Sequence, residues 1–216
     1  DGLLATILES KPADVDALLK ATYVGTDSAV ESVLVETIAQ IGEKLSIRRF
    51  VIVEGNAVAT YVHGKGQIGV IVNMKDSDAT AKDEFKAAAK NVALQIAAMS
   101  PAYLDKASVP ASVVEGEKEV ILAQIKNDEA NSKKPEAVLE KMVMGKINKF
   151  FTQNCLLLQE YVKDDGVTVE KYLDAVAKEL GATVEVAGFV RFEKGEGLEK
   201  REDDFADEIA KLTGKA

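Results

Sequence analysis

The feature that most constrains the fold is an alternating run at residues 68–74. Side chains of a strand point alternately to its two faces, so every second residue of this run shares one face. Those residues are all apolar: Ile68, Val70, Val72 and Met74. A second strand-like run at 57–62 precedes it, and the glycine-rich segment 63–67 separates the two. The pattern predicts a β-hairpin with one face covered by helices.

Helical periodicity flanks this hairpin on both sides. Apolar residues recur every three or four positions in four stretches, at 15–19, 30–45, 85–96 and 172–180. β-branched and aromatic residues cluster in two further runs, at 47–53 and 184–192, where strands are expected. This mixture predicts an α+β fold in which small antiparallel sheets are covered by helices.

Two longer helical stretches, 111–130 and 135–150, have sparse and evenly spaced apolar residues. A polar turn at 131–134 separates them, and Pro135 stands where the first turn of a helix tolerates proline. A narrow apolar stripe covers one partner helix and little else. We therefore predict an antiparallel helical hairpin, a coiled coil, that projects from the body of the protein.

Composition excludes several classes of function. The 27 basic and 36 acidic residues leave a net charge of −9, which exerts no general attraction on nucleic-acid phosphates. One cysteine, Cys155, and one histidine, His63, exclude an internal disulfide and a His-rich metal site. No apolar run approaches the ~20 residues that span a bilayer, and no basic leader is followed by an apolar segment. We expect a cytoplasmic protein without metal, cofactor, membrane or direct nucleic-acid partner.

Three local signals of chemistry each have a simpler interpretation. Residues 64–69 fit G-x-G-x-x-G, but a strand follows them, whereas phosphate binding needs a helix N-terminus at that point. Histidine is a residue type that serves as a general base, yet no nucleophile with an orienting partner accompanies His63. Cys155 stands beside three leucines and is expected to be buried and inert. An interaction protein is favoured, and a small-molecule enzyme built around His63 is the alternative.

Specific strings, in order along the chain, resemble the elongation factor Ts family. They are Ile-Gly-Glu-Lys-Leu-Ser-Ile-Arg-Arg-Phe at 41–50, Tyr-Val-His-Gly at 61–64, Lys-Met-Val-Met-Gly-Lys at 141–146 and Gly-Phe-Val-Arg-Phe-Glu-Lys-Gly-Glu-Gly at 188–197. The family catalyses guanine-nucleotide exchange on elongation factor Tu, the GTPase that delivers aminoacyl-tRNA. Membership implies two related α+β subdomains, the coiled-coil arm and a C-terminal helix that docks on the partner.

The resemblance also implies a domain division. Residues 1–54 would be a partial N-terminal subdomain, and residues 55–200 the C-terminal subdomain with the hairpin inserted at about 108–150. Residues 201–216 would form the C-terminal helix. A homodimer is a further expectation for partners.

Motif matching implies eight partner-binding residues and no catalytic ones. They are Ile41, Gly42, His63, Gly64, Val162, Phe205, Ile209 and Leu212. The first two would face the GTPase domain, His63 and Gly64 would contact a second domain of the partner, and Val162 lies in a matching loop. Lys163 departs from the apolar residue that some relatives have there, and Lys44 replaces a common Asn.

Two parts of the family pattern are missing from this chain: a small N-terminal helical domain, and two strands that lead to a Thr-Asp-Phe-Val motif. The first subdomain is therefore expected to be incomplete, with an exposed sheet edge. We predict a fragment that folds mainly through its second subdomain and is impaired in exchange. The alternative is a scaffold that docks on the GTPase without accelerating nucleotide release.

Overall fold

The computed structural model of the chain describes residues 1–128 and 134–198. The chain divides between Gly55 and Asn56 into two compact units. The first unit, residues 1–55, is helical, whereas the second unit, from residue 56, contains the sheet and the helical hairpin. No helix in the described ranges is long and apolar enough to cross a bilayer.

The first unit has three short helices, α1 (Gly2–Ser10), α2 (Val15–Lys20) and α3 (Val30–Ile41). The carboxylate of Asp14 accepts a hydrogen bond of 2.8 Å from the N–H of Ala17, which caps α2. Helix α1 was not predicted. The small core of the unit consists of Ile7, Leu18 and Val30.

The predicted strand at 47–53 is wrong. Ile47, Phe50 and Ile52 pack against the buried residues of the first unit, as β-rich composition at half-buried positions would suggest. A strand, however, exists only where its backbone pairs with a neighbouring strand. Within residues 1–55 the structure forms no sheet ladder, so this segment runs without regular structure.

Three antiparallel strands of the second unit form one sheet in the order β1 (Val58–His63), β2 (Ile68–Met74), β3 (Val186–Glu193). The register pairs His63 with Ile68, and Ile68 with Glu193. The predicted hairpin and the predicted strand at 184–192 are thus confirmed, and with them the α+β class.

Helix α4 (Asp83–Met99) covers one face of this sheet, and α7 (Val169–Leu180) packs against α4 and contributes to the same core. Of the four predicted inward-facing residues of β2, Val70, Val72 and Met74 are each 2% exposed or less, and Ile68 is partly buried against the same core. They share a core with Phe85, Val92 and Ile96 of α4. The amphipathic pattern therefore placed the covered face of the sheet correctly.

Helices α5 (Ala111–Asn127) and α6 (Glu136–Asn154) pack against each other as the predicted helical hairpin. Their shared core contains four buried residues, Ile121, Ile125, Leu139 and Ile147. Helix α6 extends four residues beyond its predicted end, and a 3-10 helix, Leu156–Leu158, follows it. The expected C-terminal helix at 201–216 lies outside the described residues.

Cys155 lies between α6 and the 3-10 helix and has 0% exposure. Burial raises the pKa of its thiol, and the nearby carboxylate of Asp105 raises it further. The prediction that Cys155 is buried is thus confirmed, and its raised pKa favours the protonated thiol.

Candidate partner-docking surfaces

The turn between β1 and β2 presents His63 and Gly64 at one end of the sheet. The N–H groups of Gly66 and Gln67 both donate to the carbonyl of His63, at 3.2 and 3.0 Å. Gly64, Lys65 and Gly66 have φ values of 59°, 57° and 93°, so the chain turns through three left-handed residues. Strand β2 begins at Ile68, inside the G-x-G-x-x-G string, and continues beyond it as predicted, so no helix N-terminus is present there to receive a phosphate.

The imidazole of His63 is exposed and has a defined hydrogen bond. The hydroxyl of Tyr61 lies 2.9 Å from its Nδ1, and the two ring centroids are 5.9 Å apart. A hollow of about 310 Å³ beside them is lined by Tyr61, His63, Ile68 and three residues of α4, Leu94, Ala97 and Ala98. No Ser, Thr, Cys or Lys lines this hollow, so its composition suits a contact surface better than nucleophilic chemistry.

A second glycine-rich turn lies beside the first at the same end of the sheet. The N–H of Lys194 donates to the carbonyl of Gln67 at 2.8 Å. Gly195 and Gly197, just past β3, have φ values of 83° and 66°. The sequence shows both turns, but only the strand register shows that they are neighbours.

Val162 lies in a loop closed by an antiparallel bridge between Glu160 and Thr168. Within the loop, the N–H of Tyr161 donates to the carbonyl of Val167 at 2.7 Å. The N–H of Gly166 donates to the Glu160 carboxylate at 2.7 Å. The Val162 side chain is 45% exposed, whereas its backbone N–H donates inward to Oε1 of Gln95 at 2.9 Å. The loop thus presents an apolar side chain on a hydrogen-bonded backbone.

A pair of stacked aromatic rings joins this loop to α7. Tyr161 stacks on Tyr172 of α7 with centroids 4.2 Å apart and planes 18° from parallel. Burial raises the pKa of Tyr161, and Tyr172 raises it further. Lys163, the departure from the family pattern, donates to the side-chain oxygen of Asn91 at 2.7 Å, and Asn91 donates to the Tyr172 hydroxyl at 2.8 Å. The lysine is therefore hydrogen-bonded to α4, at the same asparagine that bonds to Tyr172 of α7.

Ile41 and Gly42 end helix α3 in the first unit. Gly42 has φ 77°, and its N–H donates to the carbonyl of Ile38 at 2.8 Å, which closes the helix with a left-handed residue. The Ile41 side chain is 56% exposed, although isoleucine is usually buried. The helix end therefore presents an apolar side chain to solvent.

The other predicted positions are not all brought together. Gly64 directly follows His63, while Val162 belongs to a different loop of the second unit. Phe205, Ile209 and Leu212 lie outside the described residues. Among residues 1–128 and 134–198, no group of three or more His, Cys, Asp or Glu side chains is placed to hold a metal ion.

Sequence reasoning missed the residues that support these surfaces. Tyr61 stands two positions before His63 in a strand, so the alternation rule already puts both on one face. Gln95 is a polar residue inside the apolar stretch Val92–Ala97, a signal of a buried and hydrogen-bonded amide. Neither signal identifies the partner atom.

Comparison with known proteins gives the lineage of the chain. The family model described as Elongation factor TS matches residues 1–196. The protein named Elongation factor Ts of Syntrophotalea carbinolica is 45% identical over 216 residues, which cover 99% of this chain and 69% of that protein. Its namesake in Clostridium kluyveri is 39% identical over 219 residues, covering 100% of this chain and 70% of that protein. The one in Clostridium botulinum strain 657 is 42% identical over 205 residues, 93% of this chain and 64% of that protein. With the sheet, the helical hairpin and the glycine turns described above, these matches show that the chain belongs to the elongation factor Ts family.

Proposed function

We propose that the chain is a guanine-nucleotide exchange factor for elongation factor Tu. The observation that carries the proposal is the family match over residues 1–196, a range that contains five of the eight expected contact residues: Ile41, Gly42, His63, Gly64 and Val162. The side chains of Ile41, His63 and Val162 are exposed, and each stands at a helix end or turn with ordered hydrogen bonding. Exposed apolar side chains on defined backbone suit docking on another protein.

The mechanism is thermodynamic linkage. A protein that binds the nucleotide-free GTPase more tightly than the nucleotide-bound GTPase weakens the binding of nucleotide. Bound nucleotide weakens the binding of that protein by the same ratio, because the coupling between two sites is reciprocal. Such a factor breaks no covalent bond, so it needs neither a nucleophile nor a proton donor. We therefore assign no catalytic residue and no cofactor to the chain.

The apolar contacts contribute by being buried in the complex. Full burial of a Val or Ile side chain stabilises an assembly by roughly 1.5–3 kcal/mol. Ile41 and Val162 are about half exposed in the free chain, so each retains apolar area to bury against the GTPase. His63 adds a polar contact of defined direction, because Tyr61 engages one of its two ring nitrogens.

A second candidate is a scaffold that binds the GTPase without accelerating release. The segment at 47–53 favours it, because this segment forms no strand in the first unit. A poorly formed subdomain would bind through the second unit alone and leave the nucleotide site undisturbed. This candidate shares the partner of the first and differs in the rate of nucleotide release.

We place the protein in the cytoplasm, where translational GTPases act.

A homodimer is a separate proposal. Sedimentation equilibrium across a hundredfold range of protein concentration tests whether the chain dimerises. A single species of about the 23.2 kDa chain mass at every concentration would reject the homodimer.

The deciding experiment measures release of a fluorescent GDP analogue from elongation factor Tu. The chain is compared with the longer Syntrophotalea carbinolica relative and with the variants Ile41→Asp and His63→Ala. Faster release with the chain, weakened by each variant, supports an exchange factor. Binding without faster release supports the scaffold, and absence of binding rejects both candidates.

A further inference from the structure

Two glutamines of the second unit are buried as completely as its apolar core. Gln95 of α4 is 0% exposed, and Gln159, which follows the 3-10 helix, is 1% exposed. Burial of an amide is costly unless its donors and acceptor find partners. A buried amide pair therefore points to a specific arrangement that the fold maintains.

Every polar group of the two side chains is used. The Nε2 group of Gln95 donates to Oε1 of Gln159 at 3.3 Å and to the carbonyl of Glu160 at 3.0 Å. Its Oε1 accepts the N–H of Val162 at 2.9 Å. The Nε2 group of Gln159 donates to the carbonyls of Met99 and Gln153, at 3.3 and 2.8 Å. An amide has two N–H donors and one carbonyl oxygen, so both side chains are satisfied.

This set of bonds also fixes the orientation of the Gln95 amide. A flipped amide would place an N–H group against the N–H of Val162 and a carbonyl against the carbonyl of Glu160. Both contacts would be repulsive. Only one orientation of Gln95 is therefore compatible with the observed loop, and only one position of Val162 N–H is compatible with Gln95.

The glutamine pair connects three parts of the second unit. Met99 is the last residue of α4, and Gln153 stands in the last turn of α6, the second helix of the hairpin. Glu160 and Val162 belong to the candidate docking loop. The base of the helical hairpin and the loop that presents Val162 are thus joined through two side chains.

We infer that Gln95 and Gln159 are positioning residues for partner docking, which hold the Val162 loop in one conformation and tie it to the base of the helical hairpin. The inference rests on the proposed function, since the loop matters only if Val162 meets the GTPase. Neither glutamine touches the partner, because both are enclosed. Their effect is to present Val162 without an ordering cost on association.

The test combines two substitutions with a matched control. Gln95→Leu removes the acceptor of the Val162 N–H, and Gln159→Met removes the link to Met99 and Gln153 while Gln95 keeps its bonds to the loop. Gln124→Leu makes the same chemical change on an exposed position of α5. Hydrogen exchange of individual amides in the free chain reports on the loop, with Val70 and Val72 as reference amides of the sheet.

We expect exchange at Val162 to rise about tenfold or more in Gln95→Leu, with a smaller rise at Val70 and Val72, because an unpaired buried donor is costly. Gln159→Met is expected to raise exchange at Val162 as well, through loss of the support beneath Gln95. Affinity for elongation factor Tu is expected to fall about tenfold in Gln95→Leu and to be unchanged in Gln124→Leu. A loss of affinity with the sheet still protected separates positioning from general destabilisation.

Unchanged exchange at Val162 in folded Gln95→Leu overturns the inference. The inference is also overturned if Gln95→Leu exchanges faster at Val162 but binds elongation factor Tu as tightly as the parent, while Val162→Asp binds it more weakly. If Val162→Asp binds as tightly as the parent, docking at Val162 is rejected and the inference with it, while the exchange data still report whether the glutamines hold the loop. Should Gln95→Leu fail to fold, the same measurements on Gln159→Met decide, with the same two outcomes.

Discussion

The hydroxyl of Tyr61 lies 2.9 Å from Nδ1 of His63, two residues further along β1. When the phenol donates to Nδ1 of a neutral imidazole, the ring proton is on Nε2. The exposed ring then offers an N–H donor to a partner, and Tyr61 fixes which nitrogen offers it.

Tyr61→Phe is therefore expected to weaken binding to elongation factor Tu by about threefold to tenfold, since a neutral hydrogen bond contributes roughly 1 kcal/mol. His63→Ala should weaken it more, because the contact itself is lost. Titration calorimetry measures both. Thr60→Ala, exposed on the opposite face of the strand, is the control. Equal affinity for parent and Tyr61→Phe would contradict this role of the hydroxyl.

Gly42→Ala and Gly116→Ala make the same change in opposite backbone environments. An added Cβ meets no atom within 4 Å at either site, so backbone conformation decides the outcome. Gly42 has φ 77°, where an L-residue is strained, and alanine there should destabilise the first unit by about 1 kcal/mol. Gly116 lies inside α5, and alanine there should stabilise the hairpin by about 0.5–1 kcal/mol. Urea unfolding followed by circular dichroism checks both signs, and two shifts of the same sign would reject the explanation.

Ile121→Ala should destabilise the helical hairpin by about 2–4 kcal/mol, because it leaves a cavity in a core that has four buried side chains among the described residues. Ile121 is 4% exposed, whereas its neighbour Val120 is 52% exposed. Val120→Ala is the matched control, with an expected change of about 0.5 kcal/mol or less. Amide exchange along α5 is the measurement. Equal protection of the α5 amides from exchange in the two variants would mean that the buried apolar residues do not hold the hairpin together.

Stability of the second unit should fall at alkaline pH because of Tyr161. Burial raises the pKa of this phenol in the folded chain, while an unfolded chain has the ordinary value of about 10. The folded state therefore keeps its full stability below about pH 10 and loses it as pH rises toward the folded pKa. Tyr161→Phe should remove this loss, and Tyr23→Phe, in the first unit, should leave it in place. Midpoints of urea unfolding measured between pH 8 and 11 test the difference. The same loss of stability at alkaline pH in Tyr161→Phe would mean that a group other than Tyr161 causes it.

Much of the fold followed from periodicity. The run at 68–74 predicted both a strand and its buried face, because alternation reports directly on a half-covered sheet. Helix α1 was missed although Leu3, Leu4, Ile7 and Leu8 have the spacing of one helix face. In the structure only part of that face is covered, since Leu4 and Leu8 are 64% and 65% exposed. The strand at 47–53 was wrong because composition records a preference for extended structure and says nothing of a pairing partner.

The residues of the candidate docking surfaces were predicted one by one from the family resemblance. The polar side chains that hold these residues in place were not predicted. Gln95 and Gln159 are 64 positions apart, and no local pattern relates them. The same holds for Lys163 and Asn91, whose hydrogen bond spans 72 positions. Long-range pairing of polar side chains depends on how whole elements pack, which the spacing within one element does not encode.

Because Cys155 is completely enclosed, its thiol can react with a reagent only when the structure around it opens. It is the single thiol in 216 residues, so any reaction with a disulfide reagent comes from one atom. When reclosing outpaces labelling, the labelling rate reports the equilibrium fraction of molecules in which that part of the second unit is open. The free energy of local opening at the junction of α6 and the 3-10 helix thus becomes measurable without an introduced probe.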